Sequence, residues 1–481
     1  MTTVAVLADI GHGAHHVGDD AIAMATHDLL VSRGITPVML SHNEDDSRRL
    51  LPDAQFYTTP IFSFNPRARR QMYHQTKTEP NSGLCRLVEP LLDRVDGVVI
   101  AGGGSLNSYY GWLAFERAFL AQQAWARQLP VVISGHSFGP LILDEDVGIF
   151  ADLARATTVA GFRGPISVQR AREYGFASAL QTCDDVITMA TGKAQVGESF
   201  ISACFAEPEY TDMRGAVVCQ YAAVLDYLAQ KLGAFVKLTP HMANPATGDR
   251  DLAFHREIAN ACSAQCQVEP LVDPLETMRS LDGAVLTVTS RFHQAVFSFT
   301  NQIPLLPLSF TPYGTARMGD LLENYGFAAA WTLPLVALQG ANLAWMLDDF
   351  LDSLPAQTQQ LGRSAPTVLA HHGAWWDGIA QGFEDGSFAG ISPLSSADLL
   401  APPTAFTQVA DLSNSYLQLV DEKISRDLQN SAQWKEIAEL APLAERASSL
   451  SVELAQLNAR KVVRVADFAG DVARRAKRLF S

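Results

Sequence analysis

The chain has 481 residues, of which 48% are hydrophobic and 18% charged, and its formal net charge is −15. The length predicts about two to four domains, and the composition excludes a disordered chain. The acidic balance argues against a general nucleic-acid binder, which needs clustered Lys and Arg to neutralise phosphates. Six cysteines are too few for a disulfide scaffold. Cys262 and Cys266 form a lone CxxxC without a second ligand pair, which argues against a zinc site.

In chain order, the apolar run at 3–8 is short, follows no basic residue and runs into Asp9, unlike a signal peptide. No stretch approaches the ~20 apolar residues that span a bilayer, so a cytoplasmic protein is expected. Further apolar runs at 36–40, 97–101, 130–134 and 157–160 alternate with helical patterns, and after a segment poor in strand signals the series resumes at 216–220, 234–238, 284–289 and 304–309. Such alternation predicts parallel sheets covered by helices on both faces. Nine strands are too many for one comfortable doubly wound sheet, and their uneven spacing disfavours a closed barrel. The prediction is an α/β protein with two Rossmann-like domains, 1–160 and 161–380, facing each other across a cleft. Leu343, Met346, Leu347, Phe350 and Leu351 predict closing helices. Residues 381–410, rich in Gly, Ser and Pro, predict a linker. Residues 411–481 predict two long helices, 413–440 and 443–479, broken at Pro442.

Chemistry-bearing residues cluster at the predicted strand ends. After the first strand comes Gly11-His12-Gly13-Ala14-His15-His16-Val17-Gly18-Asp19-Asp20. One of Asp19 and Asp20 suits a helix N-cap, which leaves the other to point into the cleft. The spacing of His12, His15 and His16 matches no standard metal site. Gly102-Gly103-Gly104-Ser105 follows the third strand, where glycines allow close approach and free N–H groups can cradle an anion. Gly135-His136-Ser137-Phe138-Gly139 has the Gly-x-Ser-x-Gly pattern of a serine hydrolase, but Pro140 follows directly, whereas a nucleophile elbow runs into a helix. Arg163 stands at the expected domain junction. Ser290-Arg291-Phe292-His293 follows the strand 284–289 and opens a helical stretch. In open α/β sheets ligands bind outside the carboxyl ends of the strands. Arg291 and His293 thus stand where an anion would bind, beside a helix N-terminus that favours negative charge. Arg163 could complement the same anion.

The order of these segments, with Asp184-Asp185-Val186 and Pro240-His241 between them, resembles the polysaccharide pyruvyl transferase family over about residues 4–328. The stretch from Ser290 through Ile303-Pro304-Leu305-Leu306-Pro307-Leu308 is the closest part. The resemblance implies a glycosyltransferase-B-like fold and transfer of pyruvate from phosphoenolpyruvate to sugar hydroxyls. It implies His293 as general acid or base and Arg291 and Arg163 on phosphoenolpyruvate, with Asp19 or Asp20 on the sugar side. Gly103, Gly104, Ser105, His136 and His241 would line the substrate sites. No metal or cofactor is implied beyond phosphoenolpyruvate as donor. Two departures stand out: the acid that usually follows the family's arginine is missing at Arg163-Gly164-Pro165, and His136 replaces a common Gln. Two other classes stay open, a nucleotide-sugar glycosyltransferase of the same fold and a non-catalytic binding protein on a decayed enzyme domain.

The tail lies outside the resemblance. From Arg460 to Ser481 there are seven basic residues and two acidic ones, Asp467 and Asp471, a net of +5. Val462, Val465, Phe468, Val472, Leu479 and Phe480 are compatible with one helical stripe. Such a helix suits an anionic membrane surface, useful if the acceptor sugar is lipid-linked. Leu417, Val420, Ile424 and Leu428 equally suit a homo-oligomeric coiled coil.

Overall fold

The computed structural model describes residues 2–409 apart from 80, 190–198, 208–213, 244–248, 341 and 396–397, together with a few residues between 415 and 426. The strands are β1 (Thr3–Leu7), β2 (His15–His16), β3 (Thr36–Ser41), β4 (Gln55–Thr58), β5 (Gly97–Ile100), β6 (Gly103–Leu106), β7 (Val131–Phe138), β8 (Val159–Phe162) and β9 (Leu180–Gln181). The second half adds β10 (Phe200–Cys204), β11 (Phe235–Leu238), β12 (Met242–Ala243), β13 (Cys266–Val268), β14 (Ala284–Thr289), β15 (Leu305–Ser309) and β16 (Leu333–Pro334). The helices that matter below are α1 (Val17–Val31), α2 (Gly111–Trp125), α3 (Pro165–Glu173), α4 (Arg214–Leu232), α5 (Phe292–Thr300), α6 (Pro312–Asn324) and α7 (Leu354–Asp385).

Two sheets form. The first runs β4-β3-β1-β5-β7-β8-β9 with β6 against β7, and the second runs β13-β11-β10-β14-β15-β16. Every pair within them is parallel. Strands such as β5 and β7 are buried along their whole length, as helices on both faces require. The strands' carboxyl ends in both sheets meet at one cleft. A two-residue ribbon crosses it: β2 pairs antiparallel with β12, His16 opposite Met242 and His15 opposite Ala243. Val17 N–H donates to the His241 carbonyl at 3.0 Å beside it.

Three expectations need correction. The first sheet does not stop at 160, because β8 extends to Phe162 and β9 pairs with it at Leu180 and Gln181. The run at 216–220 is no strand but part of α4, whose buried Val217, Val218, Tyr221, Val224, Leu225 and Leu228 keep a helical period. The central strand of the second sheet is instead β10, between β11 and β14. Finally, 381–410 is no loose linker. The Leu400 carbonyl accepts from Ala328 N–H and from Trp331 Nε1, Leu394 N–H donates to Gln181, and Phe406 is buried.

Helix α7 ties the two domains together. Its 32 residues span about 48 Å. Near its start Gln357 Oε1 accepts from Leu305 N–H on β15. Further along, Trp375 Nε1 donates to Ser134 Oγ and Trp376 Nε1 to Asp185 Oδ1, both beneath the first sheet. A side chain on Gly161 would place its Cβ 2.3 Å from Trp375, so the indole needs that glycine to lie flat on the sheet. The helices foreseen at 413–440 and 443–479 lie outside the described residues, apart from a few helical positions between 415 and 426.

Candidate active site

The cleft is built on the amino end of α5, where β14 ends and the chain turns at Ser290-Arg291. Arg291 is the N-cap and Phe292 and His293 open the helix, so both side chains leave its first turn at the mouth of the second sheet. His293 reaches across to the first domain. A Cβ on Gly18 would sit 1.9 Å from His293 Nδ1, so the imidazole packs directly on the amino end of α1. On its other side His293 Nε2 lies 3.5 Å from Asp184 Oδ2. Burial lowers the imidazole's pKa, and the Asp184 carboxylate offsets part of the shift. The shift favours the neutral imidazole, which can accept a proton.

Arg163 joins the same cluster. Its Nη1 donates to Asp184 Oδ2 at 2.6 Å, its Nε to Ser137 Oγ at 2.6 Å, and its guanidinium lies 4.1 Å above the Phe292 ring. Ser137 is thus a buried residue inside β7 that holds an arginine, not a nucleophile on a strand-to-helix turn. Burial opposes ionisation of Asp184, but His293 and Arg163 hold its carboxyl well below the usual range.

Sequence reasoning missed Arg317. It extends from α6 with its guanidinium 4.0 Å from the Tyr313 ring and 5.5 Å from Phe292, on which Arg163 also stacks. No carboxylate pairs with it among the described residues. Tyr313 Oη donates to the Gly104 carbonyl at 2.6 Å, and a Cβ on Gly104 would sit 2.1 Å from that oxygen. The glycine loop therefore receives a tyrosine of the second domain where an anion had been expected. The only sequence signal for this pair was their place after the β15 strand.

Arg291 turns to another carboxylate: its Nη2 contacts Asp251 Oδ1, and Asp251 Oδ2 accepts from His241 N–H at 3.2 Å. His241 is buried, with Nε2 2.7 Å from Gln294 Oε1, and it supports the ribbon and α5. His136 is fully buried as well, behind Arg117, whose Nε lies 3.4 Å from His136 Nε2. Burial and then Arg117 push His136 well below its ordinary pKa. Both histidines, expected to line the substrate sites, are buried and held by protein groups.

The loop after β1 supplies the other wall. Asp9 accepts from Arg117 Nη2 at 2.7 Å and from Ser105 Oγ at 3.3 Å, and His12 Nε2 lies 3.9 Å from its Oδ1. Gly103 has φ +149°, a backbone conformation that L side chains rarely adopt, and a Cβ there would lie 3.5 Å from Asp9 and from His136. Burial opposes ionisation of Asp9, but Arg117 and His12 hold its pKa down, and Asp9 in turn raises that of His12.

The N-cap of α1 is His16, whose Nδ1 accepts from Asp19 N–H at 3.4 Å, so neither Asp19 nor Asp20 caps the helix. Both lie in its first turn and part there. Asp20 Oδ2 lies 2.5 Å from His15 Nδ1, and the two line a cavity of about 530 Å³ closed by Asn43 from the first domain and Asp249 and Asp273 from the second. Asp19 Oδ2 lies 3.1 Å from His16 Nδ1. Burial lowers His16 to about 4. Burial, then the Asp9 charge, raises Asp19 to about 6, with His293 opposing. Beside a neutral His16, an Asp19 titrating near 6 is mostly ionised at neutral pH and is poised to take up a proton.

The missing acid after Arg163 has a replacement in space. A Cβ on Gly164 would fall 2.2 Å from Cβ of Asp320, whose carboxylate accepts from Ile166 N–H and Ser167 N–H at the start of α3. Among the described residues no group of three or more His, Cys, Asp or Glu is placed to hold a metal ion.

Comparison with known proteins agrees with this architecture. The chain is similar in fold to a Listeria monocytogenes protein described as a UDP-N-acetylglucosamine 2-epimerase, at 12% identity and a TM-score of 0.53, over 82% of this chain and 99% of the other. It is equally similar to S. aureus MnaA solved with UDP, at 10% identity and a TM-score of 0.53, over 83% and 100% of the two chains. At these identities the likeness shows a shared fold of two facing Rossmann-like domains. Among curated protein sequences none matches the chain. The sequence profile of the polysaccharide pyruvyl transferases matches residues 16–311, a span holding Asp19, Arg163, Asp184, Arg291 and His293, and the chain belongs to that family of transferases.

Proposed function

We propose that the protein transfers pyruvate from phosphoenolpyruvate to a pair of hydroxyls on a sugar, forming a cyclic ketal. One observation supports this most: Arg163 Nη2, Arg291 Nε and Arg317 Nε are buried N–H groups with no hydrogen-bond partner among the described residues, Arg163 and Arg317 over the Phe292 ring and Arg291 next to it in the chain. Unpaired buried donors are costly, and guanidinium forks suit a ligand carrying a carboxylate and a phosphate on adjacent atoms. Arg317, the least neutralised of the three, takes the largest share of that charge.

The reaction needs a proton on C3 of phosphoenolpyruvate, attack of one sugar hydroxyl on C2, departure of phosphate, and attack of the second hydroxyl. Two hydroxyl protons are released. One is accounted for by C3 and the other by the departing phosphate, so the balance closes without a redox step. His293 takes and returns a proton beside C2 and C3. Asp19, with its raised pKa, accepts the proton of the attacking hydroxyl from the opposite wall. Asp20 faces the separate cavity with His15 and takes no part in the chemistry.

No described helix is long and apolar enough to cross a membrane. A donor made in central metabolism places the enzyme in the cytoplasm, and the basic segment 460–481 would bring it to an anionic inner membrane surface or to a second copy. The test of the activity is phosphate release from phosphoenolpyruvate in the presence of candidate glycans. Release with acceptor, and none from nucleotide sugars, is the expected result. Cleavage of a nucleotide sugar would establish the glycosyltransferase reading, and activity on neither donor would favour a binding protein.

A further inference from the structure

Aromatic rings continue from the cleft out along the first domain. At the inner end Tyr110, 37% exposed, lies 6.1 Å from Tyr313, the ring on which Arg317 stacks. Next along the chain, Trp112 sits in the first turn of α2, with His12 and His42 edge-on to it at 5.3 and 5.7 Å. At the outer end Phe64 lies 4.9 Å from Trp112 and is 62% exposed. Scattered exposed aromatics mean little, but Phe64, Trp112, His12 and His42 touch one another, and Tyr110, two residues before Trp112, carries the row to Tyr313 beside Arg317. His12 is the link, because it contacts both Trp112 and Asp9.

Beside the rings lie polar atoms that no protein group satisfies. Glu116 is fully buried and uses Oε1 to bind His42 Nε2 at 3.1 Å, while its Oε2 has no partner among the described residues. His12 Nε2 has no partner within hydrogen-bond distance either, its Asp9 carboxylate lying 3.9 Å away. An exposed aromatic ring beside an unfilled acceptor and imidazoles complements one class of ligand, a pyranose ring, whose C–H face is apolar and whose rim carries hydroxyls.

We infer that Phe64 and Trp112 form a stacking subsite for a sugar ring of the acceptor next to the one that is pyruvylated. This rests on the function proposed above, and it makes the acceptor an oligosaccharide or polymer, since a lone monosaccharide at the catalytic groups would leave the rings empty. An aromatic contact of this kind is worth about tenfold in affinity. Phe64 touches no catalytic group and its exposure makes Phe64→Ala a safe variant for folding.

The experiment uses the full chain in two assays. Binding to a panel of neutral and N-acetylated oligosaccharides is measured for wild type, Phe64→Ala and Trp112→Phe, and phosphoenolpyruvate binding and turnover are measured on the same samples. The expected result is that wild type retains at least one glycan, that Phe64→Ala weakens it about tenfold, and that phosphoenolpyruvate binding is unchanged. Equal glycan binding by wild type and Phe64→Ala, or none by wild type, overturns the subsite. Glycan binding lost in Phe64→Ala without phosphate release from any mixture upholds the subsite and overturns pyruvyl transfer. Turnover with an unchanged acceptor KM in Phe64→Ala does the reverse.

Discussion

Gly18 and His293 come from different domains, yet a single methyl group on Gly18 would lie 1.9 Å from the imidazole nitrogen. The amino end of α1 therefore sets how far His293 enters the cleft, and the glycine is a spacer between a helix and a proton-transfer group.

Gly18→Ala follows directly. Alanine favours the helix itself by up to about 1 kcal/mol, so the first turn of α1 survives. His293 must retreat by about 1 Å or more, and a displacement of that size can cost about 10²-fold in rate. The expected outcome is a large fall in kcat with a melting temperature within a few degrees of wild type. Unchanged kcat would show that His293 has room to adapt.

His293→Ala should lower turnover by about 10²–10⁴-fold, the usual contribution of a general acid or base. Phosphoenolpyruvate binding should persist, because the three arginines remain. Single-turnover kinetics and calorimetric titration separate the two, and activity within a few-fold of wild type would remove His293 from the chemistry.

The arginines should differ in kind. Arg317→Ala removes a half-buried cation without a carboxylate partner and should weaken phosphoenolpyruvate binding at least about tenfold with little effect on stability. Arg163→Lys breaks the fork that bridges Ser137 and Asp184 in the interior. It should also lower the melting temperature, since a buried carboxylate loses part of its pairing. Arg291→Lys should behave similarly toward Asp251. Titration and thermal melts on the same variants check the contrast.

Asp19 gives a pH signature. Its folded pKa, about 6, lies above the ordinary 3.8, so the protonated form is the one the fold favours. That stability is fully present below about pH 4 and is lost as pH rises through 6. Asp19→Asn removes the penalty. At pH 7.5 it should be more stable than wild type by about 1–2 kcal/mol, a figure reduced for the residue's partial exposure, and at pH 4 the two should melt alike. Its turnover should lose the acidic limb near pH 6. Denaturant melts at the two pH values and a pH–rate profile decide it.

Tyr313→Phe should loosen the cleft. It deletes the donor to the Gly104 carbonyl while keeping the ring under Arg317. A neutral hydrogen bond of this sort contributes about 1 kcal/mol, so a several-fold rise in the phosphoenolpyruvate KM with unchanged kcat is expected. Steady-state kinetics check it, and a change in kcat alone would mean that the tyrosine serves the chemistry.

Much of this was legible in one dimension. The β1, β3, β5, β7, β14 and β15 strands announce themselves as short apolar runs bounded by turns, because a strand buried on both faces has to be apolar throughout. Arg291 and His293 were readable because parallel sheets place the residues after each strand on the same edge. Residues 216–220 misled, since the short apolar run Ala216-Val217-Val218-Cys219 fits either period and only the neighbours at Tyr221, Val224 and Leu228 decide for a helix. The remainder depends on long-range contact. Nothing local tells that Gly18 spaces His293, that Asp320 fills the place of an acid at 164, that Tyr313 closes on Gly104, or that Arg317 joins Arg163 over Phe292. The sequence determined the two sheets and the edge on which chemistry sits; the packing of one domain against the other decided which side chains share that edge, because contacts across a cleft leave no periodicity along a chain.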